Sequence, residues 1–273
     1  MSRPILLCPV CRAPLNRNGN RFVCCAGHAF DIARQGYVNL LLSAKGGTHG
    51  DNKLMTEARR RFLNSDGYAF LADAVAAEAA AVTPPGGSLV DAGCGEGYYT
   101  EKIVSRVAEA DVRVIAVDIS KDALIRLGKR HLPVLPVVAS LYDLPLADAC
   151  ADAVVLLFSP YAEKEILRIL KPNGTLLMAI PGKRHLFGLK SLLYETPYEN
   201  AVADFTLNGF TLLSHRQLEK TVTLNRKEDI ENLFYMTPYA YRTNESGIQR
   251  LLTAGSVTTD FSFELLIYRK IGA

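Results

Sequence analysis

The chain has 273 residues, of which 49% are hydrophobic and 22% are charged, and its net charge is +3. This is the composition of an ordinary soluble protein with one large and one small domain, and no apolar run is long enough to span a membrane. The charge is unevenly distributed: residues 1–61 hold ten Lys and Arg against three Asp and Glu, a net of +7, and the remainder has a net of −4.

Four of the six cysteines lie within the first 28 residues. No hydrophobic signal segment precedes them, so we expect a cytoplasmic, reducing location in which disulfides are not stable. Cys8 and Cys11 share a tight turn, and Cys24 and His28 follow a hairpin, which is the ligand spacing of a tetrahedral zinc site. Cys25 competes with Cys24, but it would alternate to the opposite side of an extended segment.

Three regions are predicted: a zinc-binding module over residues 1–37, a linker with a basic helix over residues 38–66, and a large domain over residues 67–273. The segment from Leu41 to Lys53 contains three glycines and is predicted to be a linker. The helix from Leu54 to Leu63 follows it.

This helix contains Arg59, Arg60 and Arg61. Together with the other basic residues of the front segment they can neutralise the phosphates of a nucleic acid. The alternative is a charged surface that only contacts solvent. A second, alanine-rich helix is predicted from Tyr68 to Val82, where Pro84 and Pro85 prevent its continuation.

Beyond Gly86, short apolar runs alternate with helical stretches, which is typical of a parallel sheet covered by helices. The last third alternates like an antiparallel pair that completes the sheet. The predicted strands are Ser88 to Ala92, Val112 to Asp118, Val134 to Ala139, Ala153 to Phe158 and Thr175 to Ile180. The predicted helices between them are Tyr98 to Val107, Lys121 to Arg130 and Ala162 to Leu170.

The sequence "LVDAGCGEGYYT" follows the first of these strands. Gly93, Gly95 and Gly97 allow a tight turn and a close approach to a ligand at the beginning of a helix. A dinucleotide-binding loop would have a glycine at position 98, which is a tyrosine here. The spacing fits S-adenosylmethionine better, with Asp91 available for its amino-acid part.

The second strand ends at Asp118, where a carboxylate can accept hydrogen bonds from both ribose hydroxyls. This residue, the glycine loop, "VVAS" and "LKPNGTLLM" together resemble the class I methyltransferases over about residues 86–182. The fourth strand is followed by "FSPY", in which Ser159 stands where enzymes that methylate exocyclic amines have Asn or Asp. An exocyclic-amine substrate is therefore disfavoured.

The whole chain resembles the bacterial 23S ribosomal RNA guanine-N-1 methyltransferases. The resemblance is carried by the zinc module ending in "HAFDIARQGYVNLLL", by "GDNKLMTEARRRFL" and "DAGCGEGYYT", and by "PGKRHLFGLK" and "YMTPYAYR". It implies an α/β fold of class I methyltransferase type, with a mostly parallel sheet, an antiparallel end and a preceding zinc module. It also implies methyl transfer to ring nitrogen 1 of a guanine in a 23S rRNA hairpin loop, linked in some members to macrolide resistance.

Several residue roles are carried over from this resemblance by position. The zinc ligands are Cys8, Cys11, Cys24 and His28. The residues around the cofactor are Asp91, Gly93, Gly95, Asp118, Ser140 and Leu141, and Gly97 and Tyr99 of "GCGEGYYT" are further cofactor-binding candidates.

The substrate side is less defined by the sequence. Arg59, Arg60, Arg61, Lys183, Arg184 and Lys190 are candidates to hold RNA phosphates. Tyr161, Phe187 and Tyr239 are candidates to stack on an extruded base. His185 is a candidate base for the ring proton of guanine, with Tyr161 as a second catalytic candidate. Cys94 is expected only to pack.

Two other functions are compatible with the sequence. One is a methyltransferase for a small metabolite, with the zinc module as a lid, and the other is a non-catalytic zinc-ribbon RNA-binding protein with a vestigial methyltransferase fold. The intact Asp91 and Asp118 disfavour the second. A homodimer is expected from the family resemblance alone.

Overall fold

The computed structural model describes residues 4–42, 53–202 and 204–272. Most of the predicted linker, residues 43–52, lies outside the described residues. No helix within these ranges is long and apolar enough to cross a membrane.

The described chain contains two sheets. The first is a small antiparallel sheet of β1, β2 and β3 within the zinc module, and the second has eight strands in the order β10-β11-β9-β8-β5-β6-β7-β4. The small sheet consists of β1 (Asn16–Asn18), β2 (Arg21–Val23) and β3 (Ala29–Asp31). The large sheet consists of β4 (Val38–Asn39), β5 (Ser88–Ala92), β6 (Arg113–Asp118), β7 (Val134–Val138), β8 (Ala151–Leu157), β9 (Leu170–Pro181), β10 (Phe210–Leu224) and β11 (Val257–Lys270).

The strands from β4 to β9 are parallel, and β11 is antiparallel to both of its neighbours, β9 and β10. The predicted mostly parallel sheet with an antiparallel end is therefore confirmed. The central strands are almost wholly buried, because helices or the zinc module cover both faces of the sheet.

Eight α-helices surround the large sheet in the described ranges. They are α1 (Lys53–Asn64), α2 (Ala69–Val82), α3 (Tyr98–Val107), α4 (Lys121–Gly128), α5 (Glu163–Ile169), α6 (Phe187–Leu193), α7 (Lys227–Tyr235) and α8 (Glu245–Thr253). The helices α1, α2, α3, α6, α7 and α8 contribute buried side chains to the core on one face. On the other face, Leu6 and Leu15 of the zinc module share a buried cluster with Val90 of β5 and Ile166 of α5.

The largest difference from the predicted strand boundaries is at β9, whereas the other predicted boundaries differ by at most two residues. The fifth parallel strand was expected to begin at Thr175, after the turn-forming sequence Lys171-Pro172-Asn173-Gly174, but β9 begins at Leu170. Leu170 already pairs with Ala151 before the register shifts, and Asn173 adopts a φ of 61°. Pairing with β8 extends the strand back to Leu170. The turn residues therefore form an irregularity inside β9.

The zinc module is also joined to the large sheet. Residues 38 and 39, predicted to begin the linker, form the edge strand β4, which pairs with Val137 and Val138 of β7. On the other side of the linker, α1 packs against α7. Both ends of the predicted linker are therefore anchored on the methyltransferase-like domain.

Candidate cofactor cleft and metal centre

Four potential metal ligands come together in the zinc module. The ligand atoms of Cys8, Cys11, Cys24 and His28 all lie within 4.8 Å of one another. Tetrahedral zinc with Zn–S bonds of about 2.3 Å and Zn–N bonds of about 2.0 Å separates two sulfurs by about 3.8 Å and a sulfur from a nitrogen by about 3.5 Å. The Cys11 and Cys24 sulfurs are 3.7 Å apart, and His28 Nδ1 is 3.6 Å from Cys8 Sγ and 3.4 Å from Cys24 Sγ. The donor set fits a closed structural zinc site.

Two tight turns produce this arrangement. In the first, the Arg12 amide donates to the Cys8 carbonyl at 2.8 Å, and in the second, the Gly27 amide donates to the Cys24 carbonyl at 3.0 Å. Burial raises the pKa of the Cys24 thiol, but hydrogen bonds from the backbone of His28 and Ala26 outweigh it and lower the pKa to about 7. A thiol that ionises readily is a better metal ligand. The rival, Cys25, is exposed and lies outside the cluster.

The glycine loop lies between β5 and α3 and requires glycine at both of its ends. Gly93 has a φ of +83°, and a Cβ there would lie 1.9 Å from Ser159 Oγ. Gly97 has a φ of +85°, and a Cβ there would lie 2.9 Å from Leu127 Cγ. Gly95 also has a positive φ, +56°, but no heavy atom lies within 4 Å of its Cβ position, so the middle of the loop faces open space. The loop thus forms a cradle that side chains would fill.

Asp118 connects this loop to the end of β6. Its Oδ2 accepts a hydrogen bond from the Gly95 amide and its Oδ1 from the Ser120 amide, both at 2.8 Å. The carboxylate therefore lies directly beside the open part of the loop, where a ribose would approach it.

Asp91 lies beneath the loop and is 2% exposed. Its Oδ2 accepts a hydrogen bond of 2.6 Å from the Thr100 hydroxyl. Burial raises the pKa of Asp91 to about 6, although the Thr100 hydrogen bond opposes the shift. A buried carboxyl with a raised pKa gains most from a cationic partner such as the ammonium of an amino acid.

Ser140 and Leu141 form the third side of the cleft. The Ala139 amide donates to the Asp118 carbonyl at 3.0 Å, and Leu141 Cδ1 lies 3.9 Å from the Cβ position of Gly93. Tyr99 lies at the beginning of α3, and its hydroxyl is buried without a hydrogen-bond partner in the described chain. The cradle and the two carboxyl groups suit a cofactor with an amino-acid part and a ribose.

Comparison with known proteins gives matches to both parts of the chain. Residues 6–44 match the family model of the RlmA N-terminal zinc ribbon, and residues 90–178 match the model of a methyltransferase domain. The "Putative 23S rRNA (guanine-N(1)-)-methyltransferase" of Micromonospora griseorubida is 34% identical over an alignment of 293 positions. The alignment covers 98% of this chain and 98% of the relative. The 23S rRNA (guanine(748)-N(1))-methyltransferase of Streptomyces fradiae is 37% identical over 227 residues, covering 81% of this chain and 80% of the relative.

This chain belongs to the 23S rRNA (guanine-N1)-methyltransferase family. Solved structures add the fold alone. A "Putative Type II Methyltransferase" from Anaeromyxobacter dehalogenans has a TM-score of 0.53 at 19% identity and covers 74% of this chain and 97% of its own. The YcgJ protein of Bacillus subtilis has a TM-score of 0.50 at 15% identity and covers 73% and 98%. S-adenosylmethionine and zinc are thus the cofactors of this family member.

His185 is a poor catalytic base in this rRNA methyltransferase. Its ring is 7% exposed, its Nδ1 accepts a hydrogen bond of 3.3 Å from the Ser262 amide, and its Nε2 lies 3.4 Å from the Tyr68 hydroxyl. Burial lowers the pKa of His185 to about 3. The lone pair of Nδ1 already accepts the Ser262 amide, so it is not available to take a proton from guanine. We therefore correct the expectation that His185 is the base: it is a neutral core residue.

Lys190 is also misassigned as a phosphate ligand. It is fully buried, and its ammonium donates to Asn200 Oδ1 at 2.6 Å and to the Tyr198 carbonyl at 3.1 Å. The same ammonium lies 4.4 Å from the Tyr198 ring centroid. The charge therefore fixes the segment after α6 and is not presented to RNA. Lys183 and Arg184, in contrast, are 65% and 50% exposed and share Glu199 as an ion-pair partner.

The three consecutive arginines of α1 all have partners within the protein. Arg60 and Arg61 pair with Glu57 of the same helix at 2.6 Å and 3.3 Å. Arg59 donates to the Met236 carbonyl at 3.4 Å. Glu57 also pairs with Arg126 of α4 at 2.8 Å, so the charges of α1 connect elements of the fold. Arg61 remains the most exposed of the pairing partners, at 53%.

The aromatic candidates lie in different surroundings. The Tyr161 hydroxyl is buried without a partner in the described chain, and its ring packs beside the zinc-module face of the core. Phe187 lies under the Arg184 guanidinium, 4.5 Å from the ring centroid. Tyr239 lies 5.6 Å from the Lys190 ammonium and packs against Tyr194.

Phe158 is a further candidate that the sequence analysis did not single out. It follows β8 directly, has a φ of 54° and is 45% exposed. Its ring lies 6.3 Å from that of Tyr99 and 5.6 Å from that of Phe263. A bulky residue whose backbone adopts the left-handed conformation is strained, and such strain is concentrated at functional sites. The available signal was an aromatic residue at the carboxyl end of a buried strand next to Ser159.

Proposed function

We propose that this protein transfers the methyl group of S-adenosylmethionine to ring nitrogen 1 of one guanine in a hairpin loop of 23S rRNA. The observation that carries the proposal is the combination, in one chain, of an RlmA-type zinc ribbon with a fitting ligand set and a glycine-loop cleft with Asp91 and Asp118. S-adenosylmethionine supplies an electrophilic methyl group when it is bound. The chain has to bind it, orient it and admit an extruded base.

The geometry of the cleft supports the following cofactor roles. Asp118 receives the ribose hydroxyls, Asp91 receives the ammonium, and the open face of Gly95 lies against the sugar. Ser140 and Leu141 border the adenine, and Tyr99 completes the wall near the amino-acid part. The Asp118 carboxylate supports its role by its hydrogen bond to the Gly95 amide, at the open part of the loop.

The guanine is expected to enter beside Phe158. An extruded base loses its stacking partners, and an exposed aromatic ring supplies a replacement. Phe158 is supported from behind by Tyr99 and Phe263, so its ring is held in place before RNA binds. Lys183, Arg184 and Arg61 expose enough of their side chains to contact the phosphates of the hairpin.

The decisive experiment uses unmodified 23S rRNA. The protein is incubated with tritiated S-adenosylmethionine and the transcript, and the product is mapped by primer extension, because a methyl group on the Watson-Crick face stops the polymerase. We expect one stop at a guanine in a hairpin loop. Tritium incorporated without a stop would place the methyl group elsewhere on the RNA, and an RNA that acquires no tritium would refute the substrate.

A binding experiment tests the cofactor site separately. The change Asp118→Ala should weaken S-adenosylmethionine binding by about 2 to 3 kcal/mol, the scale for losing charge-assisted hydrogen bonds. Asp122→Ala, an exposed acid in the first turn of α4, is the matched control and should leave the calorimetric affinity unchanged. Equal affinities for the two variants would show that Asp118 does not contact the ribose.

We also propose a cytoplasmic location and a homodimeric state. Ribosomal RNA as the substrate implies that the enzyme works in the cytoplasm. A homodimer is predicted from the family resemblance, and light scattering after size-exclusion chromatography would measure the mass directly.

A further inference from the structure

The zinc module contacts a loop that borders the cofactor cleft. This loop, residues 139–147, follows β7 and carries Ser140 and Leu141 in its first half. In its second half, the Leu7 amide donates to the Pro145 carbonyl at 2.8 Å, and the Ala147 amide donates to the Ile5 carbonyl at 2.9 Å. The two parts of the protein therefore share a backbone ladder within a few residues of the cleft.

Arg12 makes the side-chain contacts across this junction. Its guanidinium pairs with the Asp143 carboxylate, and its Nη1 donates to the Leu144 carbonyl at 3.2 Å. The Asp143 amide donates in turn to the Ser140 carbonyl at 3.2 Å. Arg12 thus holds the end of the turn that contains Ser140 and Leu141.

The position of Arg12 depends on the metal site. It follows Cys11 directly and has a φ of 58°, a conformation that is unfavourable for a residue with a side chain. Its amide donates to the carbonyl of Cys8, the other ligand of this turn. A metal bound by Cys8 and Cys11 would keep the turn closed and therefore keep Arg12 directed at Asp143.

Other contacts limit the size of the effect. Glu165 accepts a hydrogen bond of 2.6 Å from the Leu144 amide, and Arg168 donates to the Leu144 carbonyl at 2.9 Å. The loop is therefore held from α5 as well as from the zinc module. Arg12 and Asp143 are also 46% and 65% exposed, so solvent screens their attraction.

We propose that Arg12 is a positioning residue for the S-adenosylmethionine site and that it couples zinc binding to cofactor binding. The inference rests on the cofactor site assigned under the proposed function. Zinc that holds the turn closed increases the affinity for S-adenosylmethionine. Because linkage is reciprocal, S-adenosylmethionine increases the affinity for zinc by the same factor.

Calorimetry on the zinc-loaded, full-length protein tests the proposal without RNA. For Arg12→Ala we expect the dissociation constant of S-adenosylmethionine to rise roughly threefold to tenfold, the range between a screened ion pair and an ordinary coupling between sites. Arg21→Ala removes an exposed arginine from the same module and should leave this constant unchanged. Both variants should keep stoichiometric zinc.

A double-mutant cycle tests whether the coupling acts through the contact between Arg12 and Asp143. Asp143→Ala should weaken binding as Arg12→Ala does, and the double variant should be no weaker than the weaker single variant. Removal of zinc with a chelator should weaken cofactor binding in the wild type and have a smaller effect in Arg12→Ala. In a methylation assay, the KM for S-adenosylmethionine should rise while kcat at saturating cofactor is retained, a split that a loss of folded protein would not produce.

Three results would overturn the coupling: an unchanged dissociation constant for Arg12→Ala, an equal change for Arg21→Ala, or full additivity in the double variant. These results are distinguishable from failure of the proposed function. A wild-type protein that does not bind S-adenosylmethionine refutes both proposals, whereas one that binds it and is insensitive to Arg12 refutes only the coupling.

Discussion

At the level of single residues, two buried titratable groups differ in what they can do. His185 and Asp91 are both buried, but the lone pair of His185 is already occupied by the Ser262 amide, whereas the Asp91 carboxyl has one short hydrogen bond, from Thr100, and a pKa raised to about 6. The hydrogen bond from Ser262 therefore leaves the buried His185 unable to act as a base, whereas the buried Asp91 can still bind a cationic ligand. Sequence position alone suggested a role for both.

The raised pKa of Asp91 predicts the pH dependence of cofactor binding. Below about pH 6 the free protein carries a proton on Asp91, which then has no negative charge to attract an ammonium, so the affinity for S-adenosylmethionine should fall as the pH falls from 7 to 5. The stability change has the opposite sign. The usual pKa of an aspartate is 3.8, so the contribution of Asp91 to stability is fully present below pH 3.8 and is lost as the pH rises through about 6.

Calorimetry across this range measures the effect, and a melting curve at each pH controls for unfolding. Asp91→Asn should bind weakly at every pH and show no such transition. If the wild-type affinity were constant between pH 7 and pH 5, the ammonium would not be bound by Asp91.

At the level of elements, α1 is a structural bridge as well as a basic surface. Glu57 accepts from Arg60 and Arg61 on its own helix and from Arg126 on α4, and hydrogen bonds from Arg60 and Arg126 lower the pKa of Glu57 to about 2. In turn, Arg130, just beyond α4, pairs with Glu96 in the glycine loop at 3.2 Å. The network connects α1 to the cofactor cleft through α4.

Replacing Arg59, Arg60 and Arg61 with alanine therefore has a predicted double effect. The melting temperature should fall because Glu57 loses two partners and the Met236 carbonyl loses its donor. The salt dependence of RNA binding should weaken by no more than about one unit of slope, since Arg61 is the arginine of the three with a largely exposed side chain.

Filter binding at several salt concentrations and a thermal melt on the same variant separate the two contributions. Lys183→Ala is the comparison, since Lys183 is 65% exposed and lies outside this network. A reduction of two units or more in the triple variant, without loss of stability, would show that α1 serves RNA binding alone.

At the level of the whole molecule, the zinc module is part of the methyltransferase core. Leu6 and Leu15 share a buried cluster with central strands of the large sheet, and β4 extends that sheet. A small zinc ribbon has little core of its own. Here part of its apolar surface is buried against the catalytic domain, so loss of the metal is expected to affect the cleft.

The matched pair Cys11→Ser and Cys25→Ser tests this view. Cys11→Ser should lose zinc, because one of four ligands is removed from a closed site, and its affinity for S-adenosylmethionine should fall with it. Cys25→Ser changes an exposed cysteine outside the cluster and should retain both. Metal analysis and calorimetry measure the two properties. Stoichiometric zinc in Cys11→Ser, or its loss in Cys25→Ser, would mean that the ligand set is wrong.

The sequence by itself determined the features that depend on local spacing. Two close pairs of ligands, a glycine triplet after an apolar strand and an acid at the end of the next strand each require only a few neighbouring residues. They therefore predicted the four-residue metal cluster and a glycine loop that lies beside Asp118. Alternation of apolar runs also predicted the mostly parallel sheet with its antiparallel end.

Only the tertiary structure decided which charged side chains are available. Lys190 and His185 lie in "PGKRHLFGLK" beside the exposed Lys183 and Arg184, and nothing in the local sequence separates the buried pair from the exposed pair. Burial and hydrogen bonding depend on residues outside this segment, such as Asn200 for Lys190 and the more distant Ser262 for His185. The contact of Arg12 with Asp143 joins positions 131 residues apart, so the connection between zinc module and cofactor cleft exists only in the folded protein.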